Sequence, residues 1–175
     1  MKDPLLIFER GLRKDMKKGN GGVVSAVRKI AEPLALELGY FLWDVEYVKE
    51  GADMYLRITI DSEDGITIED CEKMHRAIDP LLDEADPIEG AYHLEISSPG
   101  IERELKNDMQ INACEGWQVE VRLYAPIDGA KSFLGELCEL DEDGNVVILC
   151  AEGERRFARA SVAKIQTRYD FDAAN

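Results

Sequence analysis

The residues of this chain best suited to chemistry are carboxylates, and they gather in one place. Asp61, Glu63, Asp64, Glu69 and Asp70 fall within ten positions. Clustered acids attract cations, so the spacing of a calcium loop is the first test. With Gly65 at the sixth place, Ile60 takes the first and Cys71 the twelfth, where oxygen ligands are needed. The loop fails. A second run, Asp141-Glu142-Asp143-Gly144, reaches its twelfth place at Cys150 and lies between strand patterns, so it reads as a hairpin turn. No metal is expected at either place. Nucleophilic catalysis needs a base within reach of the nucleophile, and only His75 and His93 supply imidazoles. His75 sits on a helix pattern and His93 alternates outward on a strand pattern, so both read as surface residues. There is no phosphate-cradling glycine loop, dinucleotide fingerprint or nucleophile elbow. The expectation is a protein without catalytic residues, without a cofactor and without enzyme activity.

Cys71, Cys114, Cys138 and Cys150 are separated by 43, 24 and 12 positions, with no Cys-x-x-Cys pair. They read as small core residues of a reducing compartment, not as zinc ligands or disulfides.

The elements that must position these groups follow from apolar spacing. Val23, Val27, Ile30, Leu34 and Leu38 recur every three or four residues, which predicts a helix stopped by Gly39, with Pro33 expected to kink it. Two alternating runs, Phe41 to Tyr47 and Met54 to Ile60, predict a hairpin. Thr67 and Asp70 have the spacing of a capping box, ahead of a helix whose apolar face is Cys71, Met74, Ile78, Leu81 and Leu82. Pro80 lies near the end of this helix pattern. Tyr92 to Ser97 alternates as a third strand. From Trp117 onward the texture is short strands and turns: Trp117 to Leu123, Ser132 to Leu140, Asn145 to Cys150 and Ile165 to Phe171. Gly135 inside the second of these predicts a sharp bend. The class is therefore α+β. An N-terminal α-β-β-α-β domain over 23–100 is followed by a small, curved antiparallel barrel over 101–175, with 101–116 as a junction and 1–22 as a flexible tail.

Charge is distributed unevenly. Of the net −15, residues 1–22 contribute +3, residues 23–104 contribute −13 and residues 105–175 contribute −5. An acidic field repels phosphates and attracts basic proteins. Asp61, Asp64, Glu69, Asp70, Glu72, Asp79 and Asp83 form the expected acidic partner face. One basic strip, Arg155, Arg156, Arg159, Lys164 and Arg168, runs without an acid from 155 to 168 and is the candidate RNA contact. The longest apolar runs, such as Val146 to Ala151, are far below the ~20 residues of a membrane span. Leu5 to Phe8 is followed at once by charge, unlike a secretory signal. A cytoplasmic protein is expected.

The run from Tyr92 to Arg103, centred on Ser97-Ser98-Pro99-Gly100, closely resembles the signature of the bacterial ribosome maturation factor RimP family. Asp44-Val45-Glu46-Tyr47, Gly65 to Lys73, Pro126-Ile127-Asp128-Gly129 and Phe133 to Leu137 follow the same family in order. The resemblance covers roughly 24 to 170. It implies an α-β-β-α-β domain joined to a C-terminal Sm-like (SH3-type) barrel. It also implies a non-catalytic factor that binds the free small ribosomal subunit and helps its assembly, including incorporation of a basic ribosomal protein. Ser97, Ser98, Pro99, Gly100 and Arg103 are expected to shape the domain junction more than to touch a partner. Glu102 and Glu104 flank Arg103 where the family more often has Asp and Pro. A monomer is expected, with room for a second contact on ribosomal RNA or protein. The competing readings are a direct RNA-binding module of Sm-like type and a metal-dependent hydrolase built on Asp61 to Asp70.

Overall fold

The computed structural model describes residues 19–169, which form two compact units dividing between Pro99 and Gly100. In the first unit the order is α1 (Gly19–Glu37), β1 (Phe41–Glu50), β2 (Asp53–Asp61), α2 (Ile68–Ala85) and β3 (His93–Ser97). This is the α-β-β-α-β sequence expected from periodicity.

Helix α1 begins at Gly19, so Gly19–Gly22, read as the end of a flexible tail, form its first turn instead. The rest of that tail lies outside the described residues. Pro33 is exposed, and the helix continues past it to Glu37. The face α1 buries is built on small residues: Ala26, Ala31 and Ala35 are as buried as Val27 and Ile30. Small side chains let the helix backbone lie close to the sheet.

β1 and β2 form an antiparallel hairpin turned by Gly51 and Ala52, with a register shift between Leu42 and Asp44. On β2, Leu56, Ile58 and Ile60 are fully buried on the helix-covered face. Each such side chain contributes about 1.5–3 kcal/mol through burial. β3 pairs with β2 in parallel, from Tyr55 opposite His93 to Thr59 opposite Ser97. A parallel neighbour cannot be reached by a tight turn, so α2 serves as the crossover. Met74, Ile78 and Leu82 of α2 are buried against the sheet, while Cys71 and Leu81 are half-buried. Pro80 does not end α2, which runs to Ala85 and is capped by Asp86 in the left-handed region (φ 44°).

The second unit contains α3 (Asp108–Ala113), β4 (Gln118–Ile127), β5 (Ala130–Leu137), β6 (Val146–Cys150), β7 (Gly153–Phe157), a 3₁₀ turn (Arg159–Ser161) and β8 (Val162–Thr167). Its strands make one antiparallel sheet in the order β7-β6-β5-β4-β8. The β4–β5 turn is Asp128-Gly129, both at positive φ (52° and 82°), the type I′ geometry that suits a hairpin. Closure into the expected barrel is not made by these hydrogen bonds. The outer edge of β8 is taken by Arg103 to Leu105, with Leu105 N–H donating to Ile165 O (2.9 Å) and Thr167 N–H to Arg103 O (2.9 Å).

β7 and α3 were not anticipated. β7 is a charged run, and α3 is a single capped stretch whose buried Gln110 accepts from Lys106 N–H (2.7 Å). At Gly135 an added Cβ would lie 2.7 Å from the Leu149 carbonyl oxygen, so β5 and β6 approach at the predicted bend only because this residue has no side chain. Gly135→Ala is expected to cost roughly 1–3 kcal/mol, the range for overpacking. Hydrogen exchange of the β5 and β6 amides should show lost protection there, and unchanged protection would contradict the constraint.

Candidate partner-binding surface

Residues 19–99 carry eighteen acids against six bases. Most of the expected acidic face belongs to α2 and the loop before it, but its members do different things. Asp70 is a structural carboxylate. One oxygen accepts from Thr67 N–H and Thr67 Oγ1 (both 2.9 Å), and the other accepts from the buried Tyr40 hydroxyl (2.7 Å). With Asp70 N–H donating to Thr67 Oγ1 (3.2 Å), the expected capping box is complete and is tied to the start of β1. The Thr67 N–H bond, then the Tyr40 and Thr67 hydroxyls, hold the Asp70 carboxyl below the usual carboxylate range. Burial and the Asp70 hydrogen bond push the Tyr40 phenol up to about 12.

Glu72 pairs with Arg76 one turn on (2.9 Å). Glu69 and Asp64 are exposed, and Asp61 ends β2 half-buried. Asp79 and Asp83 stand apart from these. With His75 they occupy successive turns of α2 and face the segment Gly90 to Leu94 across a groove of about 470 Å³. The half-buried Tyr92 phenol lines it, and burial, followed by the charges of Asp83, Asp79 and Asp86, pushes that phenol's pKa up. His93, the second histidine read as a bland surface residue, also lines the groove and stacks on Tyr55 (centroids 5.0 Å). Among the described residues, no three His, Cys, Asp or Glu side chains are grouped to hold a metal ion. The four cysteines are present as thiols.

The signature residues divide at the boundary between units. Ser97 and Ser98 are exposed and Pro99 is half-buried. Gly100 adopts φ 79°, a conformation that favours glycine. Arg103 Nε donates to Gly100 O (3.0 Å), its guanidinium lies over the Trp117 ring (5.2 Å), and its backbone N–H donates to Thr167 Oγ1 (2.8 Å). Within the second unit, Gly100 and Arg103 thus build the turn that leads onto β8.

The basic strip is brought together with acids. Arg155 faces Asp128 and Glu152, Arg156 faces Glu154 and Asp141, Arg159 faces Asp108, and Lys164 faces Glu104, all within 4.0 Å. Arg168 bonds Glu102 (3.1 Å) and Glu120. Glu102 and Glu104, the departures from the family pattern, are thereby employed as counter-charges. Asp141 also accepts from Asn145 N–H (2.9 Å) and Asp143 N–H (3.0 Å), which makes its acidic run a hairpin turn as expected.

The hub of the second unit's charges was missed by sequence reasoning, since a lone glutamate in a strand carries no signal. Glu120, with a side chain 13% exposed, accepts from Arg122 (2.9 Å), Ser132 (2.5 Å) and Arg168. Residues 30–102 of the chain match the family model of the RimP N-terminal domain. The matched segment takes in the C-terminal part of α1 and all of β1, β2, α2 and β3.

The bonds from Arg122, Ser132 and Arg168 lower the Glu120 pKa from 4.5 to about 2. A depressed carboxylate contributes stability that is full above its unfolded pKa and is lost as pH falls through the folded one. Glu120→Gln should therefore be less stable than the parent above about pH 5, with the gap closing toward about pH 2. Thermal melts across that range check it, and a gap that does not change with pH would contradict it.

Proposed function

We propose, from the match of residues 30–102 to the RimP N-terminal domain, that the chain is a ribosome maturation factor that acts by binding the free small ribosomal subunit during assembly. In this reading it works without catalysis, in the cytoplasm and as a monomer, and it helps a basic ribosomal protein into place. The observation that supports it is the conjunction of the family match with a first unit bearing eighteen acids against six bases. A field of that sign steers a cationic chain and holds nucleic-acid phosphate away. The second unit, a bent antiparallel sheet with a 3₁₀ turn before its last strand, is read as the Sm-like module that the motifs imply, and it serves as the second contact.

The rival reading, direct RNA binding through Arg155, Arg156, Arg159, Lys164 and Arg168, has less support. Each of these cations already faces a carboxylate, so phosphate would have to displace an existing partner. The two readings differ in salt dependence, since neutralising Z phosphates gives a slope of about −0.9Z on duplexes and about −0.7Z on single strands.

At low salt the purified chain should co-sediment with free small subunits and not with complete ribosomes. Asp79→Asn/Asp83→Asn should weaken that association by about tenfold, and Arg155→Gln/Arg156→Gln should change it by less than about threefold. Absence from the small-subunit fraction would refute the proposal, and a reversed order of the two variants would favour the RNA reading.

A further inference from the structure

β3 ends the three-stranded sheet, so one row of its backbone N–H and C=O groups faces away from β2. Two grooves lie along this edge, both walled on the other side by α2. Near Leu94 is the acidic groove of Asp79, Asp83 and Tyr92. Near Ile96 is a second groove of about 280 Å³, lined by Ile68, Cys71, Glu72, His75 and Arg76 as well as Ile96. Ile68 is 76% exposed there, at the first position of α2, where nothing in the cap requires an apolar side chain. Leu94 and Ile96 are two residues apart on one strand face, about 7 Å, which is also the repeat of an extended peptide. Main-chain pairing with alternate side chains in pockets is how sheet edges capture peptides.

Charge selects among such peptides. No lysine or arginine occurs between Arg76 and Arg103, while Asp79, Asp83, Glu84, Asp86, Glu89 and Glu95 do. Asp83 and Glu84 crowd the C-terminal end of α2, which has no base in its last turn and where the helix dipole already favours cations. A cation docked there relieves repulsion that the free protein carries.

We propose that the edge of β3 facing away from β2, unpaired among the described residues, takes an extended, basic protein segment as an added strand. One of its apolar side chains enters the Ile68–Ile96 groove, and a lysine or arginine two residues away enters the Asp79–Asp83–Tyr92 groove. This rests on the reading of the partner as a basic protein and adds where and how it is held.

The probe is a fluorescent hexapeptide, Arg-Thr-Val-Thr-Arg-Thr, in which valine has a cation two residues away on either side, so either strand direction satisfies both grooves. Titrated into the full chain at physiological salt, it should protect the amides of 93–97 from hydrogen exchange. N-methylating its four central amides should weaken binding by about tenfold or more, because the charge is kept and the backbone bonds are lost. Asp79→Asn/Asp83→Asn should weaken it by about tenfold, Ile68→Ser by about threefold or more, and Glu32→Gln/Glu37→Gln on α1 by less than about twofold. No binding by the parent chain, equal binding of the methylated peptide, or equal loss from the two carboxylate pairs would each overturn the proposal. Small-subunit co-sedimentation reads the broader function separately: if it persists while the peptide result fails, the edge site alone is wrong. If co-sedimentation fails while the peptide binds, the edge site stands and the ribosomal assignment falls.

Discussion

The parallel pairing of β3 with β2 is the constraint on which the first unit depends. Because a parallel strand can be reached only by a crossover, the pairing obliges α2 to run back over the sheet and leaves β3 at the margin beside it. Met74, Ile78 and Leu82 bury one side of that helix, so its acids are left on the other. The groove of Asp79, Asp83 and Tyr92 follows from this geometry. The start of the crossover is held by an interaction between distant residues: the Asp70 carboxylate closes the cap of α2 and also accepts from Tyr40, which stands just before β1. A local signal in the sequence and a long-range contact therefore share one side chain.

The two units handle charge in opposite ways. In the second, bases find acids, and Glu120 collects three donors at a single carboxylate. In the first, acids outnumber bases three to one, and Asp83 and Glu84 stand where the helix dipole opposes them. Local rules broken without a compensating contact are expected at functional sites. Under the proposed function the surplus on α2 is binding potential for a cationic chain, while the cations of the second unit's strip pair with its own carboxylates.

Much of the fold was legible because it is written in short-range pattern. Period-two runs found the β1–β2 hairpin and most of the strands of the second unit, and Thr67 with Asp70 announced the start of α2. Three kinds of element escaped. The buried face of α1 rests on Ala26, Ala31 and Ala35, which a search for large apolar residues passes over. β7 is dominated by Glu154, Arg155 and Arg156, whose alternation is masked because both of its faces carry charge. α3 is too short for a period to emerge and buries Gln110, a polar residue satisfied by its own neighbours. Of the surface, Asp79 and Asp83 were expected on an acidic partner face and are exposed, but the groove they line was not anticipated. It exists only because residues 90–94 are folded against α2, and His75, Tyr92 and His93 gain their meaning from that juxtaposition.

The proposed function requires α2 carboxylates to meet protein cations instead of nucleic acid. The most direct measurement is zero-length carboxyl-to-amine coupling on immature small subunits, with the joined peptides read by mass spectrometry. Asp79 and Asp83 should couple to lysines of a single basic ribosomal protein. Coupling spread evenly over the acids of both units, or an α2 that stays unreacted while residues 155–168 cross-link to RNA, would contradict it.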